Sequence, residues 1–107
     1  HSLGFMSTRT FMEFLQNDLK RISYDLKGFL EVYYPMLKAS WNPENEHDFI
    51  LGWFIGSKEQ EYSTSFYEKY GQRMYHELLF EVQREISKHK VELHNVVTEF
   101  LNKKEKS

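Results

Sequence analysis

Two series of residues, apolar but for one histidine and each advancing by alternating steps of three and four, constrain this chain more than anything else in it. Met12, Leu15, Leu19, Ile22, Leu26, Phe29, Tyr33 and Met36 form the first. Tyr75, Leu79, Val82, Ile86, His89, Leu93, Val96 and Phe100 form the second. Strands alternate every second residue and do not produce this spacing, whereas one face of an α-helix does. Phe11, Phe14, Leu30 and Leu37 widen the first stripe, and Leu78, Val97 and Leu101 widen the second. A widened stripe suits a bundle helix better than a bare two-stranded coil.

Local signals divide the chain into three helical segments. Thr10 and Glu13 have capping-box spacing and predict the start of the first. Gly28 lies inside that stripe and marks an expected close helix contact, and Pro35 is expected to kink or end the segment. Asn42-Pro43-Glu44 is a restart signal, with Asn42 as the N-cap and Pro43 at the first helical position. The second segment then runs to about Tyr70 and stops at Gly71. The third starts near Gln72 and ends where the lysine-rich residues 103–107 form a solvated tail.

Between the two heptad series lies Phe49-Ile50-Leu51-Gly52-Trp53-Phe54-Ile55-Gly56, a run with no polar side chain, bracketed by charged residues. A helix apolar on every side must be covered on more than one side. Eight residues are far short of the roughly 20 that cross a bilayer. The short turns near residues 40–42 and 71 make neighbouring helices antiparallel. The expected fold is therefore all-α: an up-down-up antiparallel three-helix bundle with long helices, self-associating through the excess of rings in the middle segment. Residues 1–5 read as an expression-tag remnant ahead of Met6, and residues 6–102 as a single domain.

Composition narrows the function classes. The net charge is −2 with interleaved signs, so neither nucleic acid nor a membrane surface is an expected partner. With no cysteine, disulfides, thiolate metal sites and a cysteine nucleophile are excluded. A cytoplasmic location is the expectation, with no stretch that reads as a secretory signal or membrane span. Nine Phe, seven Tyr and two Trp supply large apolar surfaces for a core or an interface.

Four groups of residues merit attention as sites. Gly52 and Gly56, with Ser63 further along the same side, let another backbone approach closely, either helix one near Gly28 or a second subunit, as small-residue ridges do between helices. Glu44, His47 and Asp48, joined by His94 if the chain folds back at Gly71, form the best metal-ligand candidate, Glu44-x-x-His47 having the spacing of bundle metal sites. A di-metal centre would need a second such motif, and acids in a first helical turn are expected for the helix dipole alone. His89 occupies a seam position, where a polar residue sets register or oligomeric state. Arg73, Tyr75, His76 and Glu77, near Tyr67 and Tyr70, would line a small-molecule pocket or an amphipathic rim at the end of the bundle. No phosphate loop, Ser-His-Asp set, zinc-protease motif or helix-turn-helix pattern occurs.

The preferred reading is a non-enzymatic helical oligomerisation or protein-interaction module without a cofactor, a homodimer being favoured and a partner helix an option. Phe49, Ile50, Gly52, Trp53, Phe54, Gly56 and His89 are its expected interface and packing residues. The first alternative is a helical-bundle metal-binding protein or small metalloenzyme holding a divalent ion through Glu44, His47, Asp48 and His94. The second is an acidic dimeric regulator associated with nucleic acid.

Overall fold

The computed structural model describes residues 5–106, and their side chains from Thr8 onward. The tag remnant predicted at residues 1–5 falls outside the described residues apart from Phe5, as does Ser107 of the predicted tail. The protein is all-helical, and no strand occurs among the described residues. Helix α1 (Phe5–Asp18) passes through a 3₁₀ turn (Leu19–Arg21) into α2 (Ile22–Met36), which ends in a π-helical turn (Leu37–Trp41). Helix α3 spans Glu46–Tyr70, α4 His76–Ser87 and α5 Lys90–Glu105.

Contacts between the helices follow a simple order. Phe11 lies edge-on to Phe66 at 5.0 Å, Tyr62 reaches Asp18, and Trp53 and Phe54 pack on Phe29. Residue numbers thus fall along α3 as they rise along α1 and α2. They fall likewise against α4 and α5, where Glu59 accepts from Gln83 at 2.5 Å and His47 meets His94. Between the first and last helices the numbers rise together: Thr8 contacts Tyr75, Gln16 Glu85, Ser23 Glu92, and Tyr34 Phe100. The molecule measures 53 × 25 × 19 Å.

The helices break where the buried line demands it. Core residues mostly step by four: Phe11, Leu15, Leu19; then Ile22, Leu26, Leu30; and Leu78, Val82, Ile86; then Leu93, Val97. At 3.6 residues per turn, each step of four rotates the buried line by about 40° around the helix. The 3₁₀ turn shortens the Leu19–Ile22 step to three and brings the line back, and the break at Lys88–His89 separates Ile86 from Leu93. In α3 nothing resets it. Ile50, Phe54, Lys58, Tyr62 and Phe66 wind across the helix, which therefore serves neighbours on two sides.

Several local expectations are corrected by this geometry. Thr10 lies inside α1, so it does not cap the helix start. Pro35 sits near the end of α2, and the chain continues past it into the π turn, whose Asn42 amide donates to the Leu37 carbonyl at 2.7 Å. Asn42 is not the N-cap of the next helix: it takes a left-handed φ of 42° and closes the previous one. Asn45 is the cap, its side chain accepting from the Asp48 amide at 2.9 Å. The third segment starts at His76 rather than near Gln72 and is broken at Lys88–His89. Gly71 ends α3 with a left-handed φ of 71°, the conformation that glycine adopts without a Cβ penalty.

Candidate functional site

The apolar run divides sharply in the folded chain. Ile50 and Phe54 are core, and Leu51, Trp53 and Ile55 are half-buried. Phe49 stays 37% exposed, and Gly52 and Gly56 are exposed. Phe49, Gly52, Trp53 and Gly56 have i, i+3, i+4, i+7 spacing, so α3 carries a second apolar stripe beside its core stripe. A Cβ built on Gly52 or Gly56 would meet nothing within 4 Å, and the same holds at Gly28. The close contact expected between these glycines and the region of Gly28 is therefore not made within the chain.

An aromatic ladder ties this stripe to the core. Trp41, 65% exposed at the end of the π turn, lies 6.3 Å from Phe49, which is 6.2 Å from Trp53. Trp53 then meets Phe29 at 5.8 Å and Tyr33 at 5.2 Å in edge-on geometry. Edge-on aromatic pairs add about 0.5–1.5 kcal/mol each beyond their buried area. The outer rings thus rest on inner ones.

One turn beyond Phe54 the core stripe carries a charge. The Lys58 side chain is 6% exposed, with its ammonium 3.3 Å from Asp18, 3.3 Å from Asp25 and 3.1 Å from Glu61. The Tyr62 hydroxyl donates to Asp18 at 2.6 Å. Burial disfavours the Lys58 charge, but the Glu61 hydrogen bond and the charges of Asp18, Glu61 and Asp25 outweigh it, holding the ammonium pKa above its ordinary value. Burial, then the hydrogen bond to Asp18, pushes the Tyr62 phenol up as well. Sequence reading missed this network, because Lys58 looked like a bracket of the apolar run. A signal was present: Lys58 falls on the four-step line through Phe54 and Tyr62, and Asp18 and Asp25 are two helical turns apart on one face.

The metal candidate is partly assembled. The His47 and His94 rings are 4.3 Å apart; His47 Nδ1 lies 3.1 Å from Asp48, and Nε2 lies 3.3 Å from the His94 carbonyl. Each ring nitrogen of His47 thus lies against an oxygen of its own chain, the Asp48 carboxylate on one side and the His94 carbonyl on the other. Glu44, exposed in the turn before α3, is not brought into this contact. Among the described residues no group of three or more His, Cys, Asp or Glu is arranged to hold a metal ion.

His89 lies at the break between α4 and α5, half-buried, and its Nδ1 meets Glu92. Glu92 also accepts from the Ser23 hydroxyl at 2.5 Å, clipping the start of α5 to α2. The Ser23 hydrogen bond, then that of His89, holds the Glu92 pKa below its ordinary value. Stability from a depressed carboxylate is present above its unfolded pKa and is lost as pH falls through the depressed folded one. Glu92→Gln is therefore expected to cost under about 1 kcal/mol at neutral pH, since the pair is half-exposed and screened. The loss should vanish in acid. Urea melts of both proteins across the acid range check this, and a pH-independent difference contradicts it.

The tyrosine-rich end does not form one pocket. Tyr67 and Arg73 share a hollow of ≈ 690 Å³ with Ser63, Met74 and Leu79. Tyr75 instead contacts Thr8, and His76 lines a separate hollow with Phe80. Among the described residues no helix is long and apolar enough to cross a membrane. No protein-family model matches the chain, and neither a curated protein nor a solved structure is found to be similar to it.

Proposed function

We propose that this chain is an up-down-up three-helix bundle that acts as a non-enzymatic oligomerisation or interaction module, pairing with a second copy through the outer stripe of α3. The contact order between the helices supports the bundle. One observation carries the function: Phe49, Gly52 and Gly56 are exposed beside the half-buried Trp53 on one apolar stripe, and nothing in the chain comes within 4 Å of a Cβ built on either glycine. Two glycines in an exposed helix interior cost roughly 0.5–1 kcal/mol each relative to alanine. A surface that only faced water would gain by losing them, whereas a surface that receives another backbone needs them.

The two roles of glycine give a test with opposite signs. A Cβ at the exposed Gly56 meets nothing in the chain, so Gly56→Leu should raise the monomer's stability through helix propensity, by up to about 1 kcal/mol. The same substitution fills the contact and should abolish pairing. Melting followed over a range of protein concentrations separates the effects, because a dimer's melting temperature rises with concentration and a monomer's does not. Wild type should show the rise and Gly56→Leu should not. A melting temperature independent of concentration in both proteins contradicts the proposal.

A further inference from the structure

The outer face of α3 continues past the stripe that ends at Gly56. At about 100° per residue, Asn45, Phe49, Gly52, Gln60, Ser63 and Tyr67 all lie within about 40° of the direction of Gly56. All are exposed except Ser63, which is half-buried. They also stand in pairs at equal distances from Gly56. At 1.5 Å per residue, Gly52 and Gln60 are about 6 Å from it, Phe49 and Ser63 about 10 Å, and Asn45 and Tyr67 about 16 Å. A two-fold axis beside Gly56, perpendicular to the helix, would exchange the members of each pair.

The two ends of this line are complementary rather than alike. The Phe49 end projects, with Trp41 6.3 Å from it and 65% exposed. The Ser63 end opens into the hollow of ≈ 690 Å³ that Tyr67, Arg73 and Met74 also line. Charge differs in the same sense. Asp48, next to Phe49, keeps 75% of its side chain in water and touches Asn45 and His47 of its own turn. Arg73 is exposed and meets no carboxylate among the described residues. Glu59, the acid of the hollow's lining, already accepts from Gln83. Length matters too. The Phe49–Gly56 stripe alone is only about 10 Å long, little for the roughly 800 Å² per partner of a stable interface. A contact running from Asn45 to Tyr67 is about 33 Å long.

We propose that two copies pair antiparallel about Gly56. Phe49 of each copy enters the hollow beside Ser63 of the other, and Asp48 of each meets Arg73 of the other. An isologous contact makes each of these meetings twice. A parallel pair would set rings against rings and leave both hollows empty. This rests on the self-pairing reading and adds to it the orientation, the register and the charged contact.

The test is sedimentation equilibrium of Asp48→Arg and Arg73→Glu, each alone and mixed in equal amounts. Both positions are exposed, so both variants should keep wild-type helicity by circular dichroism. Each alone sets like charges together twice and should pair at least about tenfold more weakly than wild type. In the mixture, one copy of each variant restores both contacts with opposite charges, and pairing should return to within about threefold of wild type. The milder Asp48→Asn and Arg73→Gln, which add no charge, should each weaken pairing by about threefold. A wild type that pairs while all four variants pair equally well overturns the antiparallel register and leaves self-pairing through the stripe standing. A mixture no tighter than its components also overturns the register. A wild type that stays monomeric removes the register and the self-pairing together.

Discussion

Phe54→Ala is expected to lower the stability of the fold by about 3–5 kcal/mol, the range for emptying a buried aromatic site. Phe54 is 2% exposed, meets Phe29 edge-on at 5.3 Å, and lies on α3 where that helix faces α2. Its neighbours Phe29 and Trp53 are themselves held by other rings, so the site collapses poorly and the upper half of the range is expected. A small domain has only about 5–15 kcal/mol to lose. Urea titration should show a lower midpoint at an unchanged slope. A loss below about 1 kcal/mol would mean that Phe54 is not packed as described.

Lys58→Met is expected to cost about 3 kcal/mol at neutral pH, the low end for removing one partner of a buried ion pair. The low end applies because Asp18 and Asp25 keep one-fifth of their surface in water. What is lost is less the attraction itself than the compensation of three carboxylates gathered around one ammonium. Adding Asp18→Asn and Asp25→Asn to Lys58→Met should therefore recover part of the loss. The pH dependence has a definite sign. The folded-state pKa of Lys58 is raised, so its contribution is complete below the ordinary value of 10.5 and is lost as pH climbs through the raised value. The Lys58→Met variant has no such alkaline loss. In acid its deficit should shrink, as protonated carboxyls cease to repel. Stability curves of the two proteins that run parallel from acid to alkaline pH would contradict the network.

Much of the fold was legible because a helical stripe leaves a strong trace. Ile22, Leu26, Val82 and Ile86 were predicted to face inward and are buried, and Gly71 ends α3 at the expected residue. The interruptions were not legible. A heptad reading absorbs the drift of a four-step buried line, so it hides the need for the 3₁₀ turn after Asp18 and for the break at His89. Met36 illustrates the consequence: it closes the predicted seam but is exposed, while Leu37 from the flank takes the buried place. Asn42-Pro43 misled for a different reason. Asparagine tolerates the left-handed region as well as it caps a helix, and here the chain used the first property. The site was half legible. The apolar run pointed to the outer stripe, but its glycines were expected to pack either near Gly28 or against a second subunit, and only the folded geometry shows that the first contact is not made. Lys58 was hidden by residue type, since a charged residue is read outward until its partners are seen.

Sedimentation equilibrium of the wild-type chain from low to high micromolar concentration, beside Gly56→Leu, is the most direct test of the central proposal. Wild type should fit a reversible monomer–dimer equilibrium, and Gly56→Leu should sediment as a folded monomer throughout. A wild type that remains strictly monomeric at high micromolar concentration would contradict self-pairing through Phe49, Gly52, Trp53 and Gly56.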